Sequence, residues 1–131
     1  MSARDNVRIA YRMWDATSRG DGSDLRALLA PHIEWRSFST GALSGVYKGP
    51  DDVVDLFARS GELVEGLRSD LIEVFASDRG AVIHYIVQAH RGLQSLDTEI
   101  LLRMRIENGQ IVDVFTVATE PQQSDSFWLA Q

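Results

Sequence analysis

The chain has 131 residues, a formal net charge of -6 at pH 7 and no cysteine. This length fits one domain over residues 1–131, with enough buried surface to fold without covalent crosslinks. The lack of cysteine excludes disulfides, thiol nucleophiles and thiolate metal sites, and is compatible with the cytoplasmic location that we expect. The basic residues are scattered and no apolar run reaches about 18 residues, so we expect neither a nucleic-acid partner nor a membrane span.

Two helices and a strand are predicted in the first third of the chain. Residues 2–5 match a capping box, apolar residues follow at helical spacing, and Gly20 is a helix stop. Residues 21–24 offer caps for a short second helix that Pro31 is expected to end. Residues 32–38 alternate and are rich in β-formers, which predicts a strand.

The rest of the chain predicts a third helix followed by an antiparallel meander. Residues 45–49 form a short extended piece, and Pro50 opens a helix because proline is tolerated in the first turn. The apolar period then changes to two, which places strands at about 67–77, 81–90, 95–107 and 110–118. The Asn-Gly pair between the last two strands is the strongest short-range hairpin signal in the chain.

Helices followed by an antiparallel sheet indicate an α+β fold. We expect a cone-shaped α+β barrel, in which a curved, mostly antiparallel sheet wraps around the N-terminal helices. Such a sheet leaves a hollow beneath the helices, and hollows of this kind commonly bind small ligands. On the convex face, Glu99, Arg103 and Arg105 accompany Leu101, so this face is either solvated or buried in a dimer.

Arg36 is the most informative charge in the sequence. Alternation along the first strand places His32, Glu34, Arg36 and Phe38 on one face. If that face is the concave one, Arg36 lies in an apolar hollow, where it must be paired or bind an anionic or enolate oxygen. Glu34 is then a candidate general base if burial raises its pKa. The alternatives are a solvent-exposed arginine and a simple Arg36–Glu34 pair, so Arg36 and Glu34 are candidate catalytic residues only on the first interpretation.

Large apolar side chains are expected to line the hollow and contact a hydrophobic small molecule. Aromatic residues are more often plain core than ligand contacts, but buried phenol and indole groups need hydrogen-bond partners and can orient a ligand. Thr98 and Thr116 are small polar alternatives for that role. The residues predicted to bind the ligand are Tyr11, Trp14, Phe38, Tyr47, Phe57, Tyr85, Leu102, Phe115 and Trp128.

A metal site formed by His84, His90 and Glu99 is a further alternative, because imidazole is the commonest metal ligand. Six residues along a strand span roughly 20 Å, which is too far for one ion. We therefore predict no metal and no cofactor, and we place His84 on the outer face of the sheet. The opposite face of this strand, which contains Tyr85, is more apolar and is expected to lie inside.

Two stretches resemble the SnoaL-like branch of the nuclear transport factor 2-like superfamily, which is related to polyketide cyclases and ketosteroid isomerases. One is IEWRSFSTGALSGVYKGPDDVVDLF, similar to a strand, turn and helix of that branch. The other is ENGQIVDVFTVATEPQQSDSFW, similar to its last strand and tail, with Asp125, Phe127 and Trp128 at the tail positions. The resemblance implies a cofactor-independent isomerase, cyclase or dehydratase for a polyketide- or steroid-like substrate, and a homodimer formed through the convex sheet face.

Several positions that carry chemistry in this branch differ here. The family's strand histidine falls on Arg36, and the proline and glycine that follow it fall on Phe38 and Ser39. The aspartate and tyrosine of ketosteroid isomerases fall near Ser37 and Met13, and neither residue can move the proton or hold the oxyanion. Isomerase activity is therefore not carried over, and a non-catalytic ligand-binding or dimerisation module stands beside the enzyme hypothesis.

Overall fold

The computed structural model describes residues 2–37, 44–62, 66–120 and 127. The α+β class and the order of elements predicted from the sequence are confirmed. None of the helices in these residues is long and apolar enough to cross a membrane. The elements of the described chain are α1 (Ala3–Arg19), α2 (Gly22–Leu28), β1 (Leu29–Ser37), β2 (Gly45–Lys48), α3 (Pro50–Glu62), β3 (Gly66–Ala76), β4 (Gly80–Arg91), β5 (Gln94–Glu107) and β6 (Gln110–Ala118).

Local chemistry defines both ends of α1. The Ser2 hydroxyl accepts a hydrogen bond from the Asp5 backbone N–H, and the Asp5 carboxylate accepts one from the Ser2 N–H, which completes the predicted capping box. Gly20 ends the helix in the left-handed conformation (φ 67°), which glycine adopts without the strain of a Cβ. The buried stripe between these ends packs on the sheet and contains Asn6, Ile9, Ala10, Met13 and Ala16.

The strands form one six-stranded sheet in the order β2-β1-β6-β5-β4-β3, so the sheet is open and not closed into a barrel. Neighbouring strands are antiparallel except β1 and β6, which run parallel. α1 contacts β3 and β4, whereas α3 contacts β1 and β2. The helices and the inner sheet face enclose one continuous hydrophobic core, which includes Met13, Ile33, Trp35, Val53, Ile83, Met104 and Val114.

The expectation that Pro31 ends the second helix is wrong. α2 stops at Leu28, and Leu29 already has extended backbone angles (φ -93°, ψ 133°). Pro31 instead lies inside β1, where the pairing with β6 shifts register between Leu29 and Glu34. Proline is tolerated at such an irregularity because it has no N–H to contribute to a regular ladder.

Candidate ligand-binding site

A cavity of about 230 Å³ lies between the helices and the inner face of the sheet. Every element except α2 and β2 contributes to its described wall. The lining residues are Met13, Trp14, Thr17 and Ser18 of α1, Ser37 of β1, Phe57 and Ser60 of α3, Leu67 and Ser69 of β3, Tyr85 and Val87 of β4, Leu96, Ile100 and Leu102 of β5, and Thr116 and Ala118 of β6.

The sheet register explains why these residues meet. Leu102 of β5 pairs with Thr116 of β6, which in turn pairs with Ser37 of β1. One row further, Ile100 pairs with Tyr85 on β4 and, on its other side, with β6. Because side chains two residues apart on a strand share a face, these rows point toward the helices together and form the floor of the cavity.

Tyr85 is the one titratable residue among the described residues that line the cavity. Burial raises the pKa of the Tyr85 hydroxyl, because the charged form would lose its hydration without gaining a partner. The hydroxyl is therefore un-ionised at neutral pH. The remaining described wall is aliphatic, aromatic or hydroxyl-bearing, so this site favours uncharged molecules.

An aromatic pair fixes the position of Tyr85. Its ring centroid lies 5.1 Å from that of Trp14, and the two planes are inclined by 59°. This tilted geometry is one of the favourable arrangements for aromatic rings. The pair joins α1 to β4 across the cavity. Both rings are therefore held in position before a ligand binds.

The hydroxyl groups of the wall differ in their hydrogen bonding. Thr17 donates to the carbonyl of Trp14 at 3.0 Å, and Ser60 donates to the carbonyl of Phe57 at 2.9 Å, so both are satisfied within their own helices. Thr98 is different, because it is 2% exposed and its hydroxyl oxygen has no partner. Thr98 lies on β5 between Leu96 and Ile100 and pairs with Val87 on β4. These three neighbours line the cavity.

The structure brings together four of the nine residues predicted to contact a ligand: Trp14, Phe57, Tyr85 and Leu102 all line the cavity. That they contact a ligand stays a prediction. Phe38 and Trp128 lie outside the described residues.

The three other predicted contacts do not line the cavity. Tyr11 lies on the exposed side of α1, with 47% of its surface accessible. The Tyr47 hydroxyl donates to the Ser44 carbonyl at 3.3 Å and accepts from Arg59 at 3.1 Å. Phe115 lies on the outer sheet face, because it alternates with the buried Val114 along β6.

The structure also corrects the expected placement of Arg36 and Glu34 in the hollow. Ile33 and Trp35 occupy the inner face of β1, where Trp35 packs edge-on against Phe57 at 5.3 Å between ring centroids. Alternation therefore directs Glu34 and Arg36 to the outer face, where Glu34 is exposed. Neither residue lines the cavity.

Arg36 is paired on the outer face. Its guanidinium lies 3.1 Å from both carboxylate oxygens of Asp113, which is two residues before its pairing partner Phe115 on β6. Arg103 approaches the same carboxylate at 3.5 Å and covers the ring of Phe115, with 4.5 Å between the guanidinium carbon and the ring centroid. The Asp113 carboxylate therefore forms ion pairs with both arginines.

Within the described ranges, no group of three or more histidine, aspartate or glutamate residues has the geometry of a metal site. His84 lies on the outer face of the sheet and contacts Glu99, with 3.0 Å between Nε2 and the carboxylate. The two residues form a pair across β4 and β5.

Sequence reasoning missed the hydroxyl groups that the helices contribute, Thr17, Ser18 and Ser60. A signal for two of them was present, because Thr17 and Ser18 follow Trp14 by three and four positions and so share its side of α1. Extending the face of α1 that contains Trp14 by one helical turn predicts both residues.

These features define the class of protein. The fold matches that of a nuclear transport factor 2-like (NTF2-like) protein from Burkholderia xenovorans LB400, with a TM-score of 0.78 over 99% of this chain and 96% of that one, at 18% identity. The chain has the α+β cone-like fold of the NTF2-like superfamily. Within it, residues 10–114 match the SnoaL-like domain, and the chain belongs to that family.

Two further relatives cover nearly the whole chain. Bal32a, from a soil-derived mobile gene cassette, has a TM-score of 0.90 and 25% identity, over 96% of this chain and 98% of Bal32a. An uncharacterized protein of Mycobacterium tuberculosis, Rv0034, is 29% identical over 125 residues, which span 94% of this chain and 95% of that protein. The family and the fold support a small-molecule-binding domain.

Proposed function

We propose that this chain binds an uncharged, hydrophobic small molecule in the cavity between its helices and sheet. The observation that carries the proposal is the wall itself, since its described residues are apolar or hydroxyl-bearing and include no carboxylate, imidazole, ammonium or guanidinium group. The cavity of about 230 Å³ exceeds an apolar cavity of about 150 Å³ that holds benzene. A molecule larger than benzene therefore fits.

Binding is favoured over proton-transfer catalysis for a geometric reason. A general acid or base must lie within hydrogen-bond reach of its substrate. Arg36 and Glu34 are on the far side of the sheet, and Tyr85, the titratable group of the described wall, is un-ionised at neutral pH and so cannot act as a general base. The non-catalytic alternative is therefore our proposal, ahead of an isomerase, cyclase or dehydratase. The cytoplasmic location stays a prediction.

A neutral fluorescent probe, N-phenyl-1-naphthylamine, tests the proposal. Its fluorescence should rise and saturate on titration with the protein. Ala118→Phe places a ring in the cavity wall and should weaken binding at least tenfold, whereas Ala58→Phe makes the same change on the exposed surface of α3 and should leave binding unchanged. Circular dichroism establishes that both variants are folded.

The absence of saturable binding to the wild type contradicts the proposal. Equal affinities for the wild type and Ala118→Phe contradict it as well, because the probe then binds elsewhere.

We also propose that two copies associate through the outer sheet face. One pairing row across this face begins at Val46 and ends at Phe75, which are 54% and 51% exposed. Arg36, Phe115, Arg103 and Val82 lie between them, so the row combines apolar and charged groups. A second copy would cover these apolar side chains, and the family resemblance favours the same arrangement.

Sedimentation equilibrium tests this second proposal. The wild type should have twice the 14.6 kDa mass of the chain. Phe75→Asp should lower the measured mass toward that of one chain, whereas Leu93→Asp, at a fully exposed position in the turn between β4 and β5, should not. A monomeric wild type, or equal effects of the two substitutions, contradicts the proposal.

A further inference from the structure

The charges on the outer face of β5 are antisymmetric about the middle of the strand. Side chains two residues apart on a strand share a face. The outer-facing residues of β5 are, in chain order, Asp97, Glu99, Leu101, Arg103 and Arg105. Two carboxylates therefore precede a partly buried leucine, and two guanidinium groups follow it at the same spacing. Because β5 lies inside the sheet, between β6 and β4, this pattern occupies the central part of the outer face.

The pairing rows on either side of Leu101 continue this division onto the neighbouring strands. A second carboxylate, Asp70, belongs to the row of Glu99, which has no cation among its described members. A second guanidinium, that of Arg36, belongs to the row of Arg103, which has no carboxylate among its described members. We call these the acidic row (Asp70, Ile86 and Glu99) and the basic row (the row from Val46 to Phe75 described above).

Both kinds of charge are accessible to a partner. The Glu99 side chain is 48% exposed and contacts His84 through Oε1. The Arg103 side chain is 43% exposed and lies 3.5 Å from Asp113, a carboxylate that it shares with Arg36. Since one carboxylate is divided between two arginines, the basic row retains positive charge that a second carboxylate can neutralise.

Two orientations are open to a second copy that packs face to face on this sheet. In a symmetric dimer the two-fold axis lies between the two sheets and parallel to them. If the axis runs along β5, Glu99 of one copy faces Glu99 of the other, and Arg103 faces Arg103. If the axis runs across the strands, the acidic row of each copy faces the basic row of the other. Opposed charges across an interface fix its alignment and like charges disfavour it, so the second orientation is preferred.

Given the proposed association through the outer sheet face, we infer that β5 of one copy lies antiparallel on β5 of the other, centred on Leu101. Glu99 of each copy then pairs with Arg103 of the other, and Asp97 pairs with Arg105. Each pair occurs twice, because the contact is symmetric. Facing sheets pack about 10 Å apart, a gap that a glutamate and an arginine side chain span together.

The row of Leu101 lies on the symmetry axis, so each of its residues faces its own counterpart. Its neighbour on β6 is Val117, and apolar side chains therefore meet at the centre of the contact. His84, the neighbour on β4, already contacts Glu99 of its own copy. Glu73 is the carboxylate of this row, and it lies on the edge strand β3, two strands or about 10 Å from β5.

Charge reversal on β5 tests the inference by sedimentation equilibrium. Glu99→Arg and Arg103→Glu each oppose like charges at two points of the contact. Each variant alone should raise the dissociation constant of the dimer at least about 100-fold and should have the mass of one chain where the wild type has the mass of two. An equimolar mixture of the two variants should recover the mass of two chains, because each contact between them joins opposite charges. A chain with both substitutions should recover it as well.

Matched variants control for net charge and folding. Asp55→Arg and Arg8→Glu make the same types of charge reversal at exposed positions of α3 and α1, and neither should change the measured mass. Circular dichroism establishes that each variant is folded. If Arg103→Glu does not fold, Asp97→Arg and Arg105→Glu test the second predicted pair in the same way.

The outcomes separate this inference from the proposed association. If the wild type is monomeric, or is a dimer that Phe75→Asp leaves intact, association through the outer face is wrong and the inference falls with it. If Phe75→Asp dissociates the dimer but Glu99→Arg and Arg103→Glu do not, the outer face is the interface and the antiparallel alignment of β5 is wrong. The alignment is equally wrong if both variants are monomeric and their mixture stays monomeric.

Discussion

Asn6 ties the first turns of α1 to the hairpin formed by β3 and β4. It is fully buried, and its side-chain amide donates to the carbonyl of Ser77 at 2.8 Å, across 71 positions of sequence. The Ser77 N–H in turn donates to the carbonyl of Gly80 at 2.9 Å and closes the hairpin turn. Asn6 Oδ1, by contrast, has no partner. Two substitutions at this position therefore have different and predictable costs.

Asn6→Ala removes the hydrogen bond and the unpaired oxygen together. A hydrogen bond of this kind contributes about 0.5–1.5 kcal/mol, and the carbonyl of the exposed Ser77 regains water, so we expect a loss of about 1 kcal/mol in the free energy of unfolding. Asn6→Asp instead directs a carboxylate at a carbonyl oxygen. An unpaired buried charge costs about 3–5 kcal/mol, and the helix N-terminus offsets about 0.3–1 kcal/mol of this. The expected loss at pH 7 is about 3 kcal/mol.

Urea denaturation of the wild type and both variants measures these losses. The buried carboxyl has a folded-state pKa above its unfolded value of about 3.9, so its charge destabilises the fold at pH 7. The deficit of Asn6→Asp should shrink as pH falls from 7 to about 4, where the carboxyl becomes protonated in the folded state. The loss in the free energy of unfolding caused by Asn6→Ala should stay constant over this pH range. Equal stabilities of the two variants at pH 7, or a pH-independent deficit for Asn6→Asp, refute the reasoning.

Two other substitutions probe the sheet. Gly80→Ala should lower the free energy of unfolding by about 1–3 kcal/mol, because a Cβ there meets the backbone oxygen of Met104, and an unchanged urea midpoint contradicts this contact. Asp113→Asn should cost about 1 kcal/mol in low salt and less in 1 M NaCl, because Arg36 and Arg103 retain 38% and 43% side-chain exposure and water screens the lost attraction. A loss that varies with protein concentration instead assigns the effect to self-association.

Local signals in the sequence were sufficient for most of the fold. The capping box at residues 2–5, Gly20 and Pro50 each act within one helical turn, so their consequences do not depend on distant contacts. The Asn-Gly turn likewise sets the β5–β6 hairpin, with Asn108 and Gly109 both at positive φ. The parallel pairing of β1 with β6 was not predictable in this way, because it joins strands far apart in sequence.

The error over Arg36 has a specific physical origin. Alternation divides a strand into two faces, and the face with the apolar side chains normally lies inside. In β1 that face contains Ile33 and Trp35, and Trp35 packs on Phe57 of α3, whereas the prediction followed the charged face. The two rings are 22 positions apart in the sequence, so no local sequence pattern predicts their contact. Once Trp35 is inside, Arg36 must be outside, where Asp113 pairs with it.

The position of α1 links the Asn6 contact to ligand affinity. Asn6 holds one end of the helix, and Trp14, eight residues or about 12 Å along it, lines the cavity and packs on Tyr85. A rotation of about 5° at Asn6 moves Trp14 by about 1 Å, enough to disturb that ring contact. Asn6→Ala should therefore weaken the binding of N-phenyl-1-naphthylamine, because the bound probe contacts the displaced ring. An affinity equal to that of the wild type contradicts this link between Asn6 and the cavity.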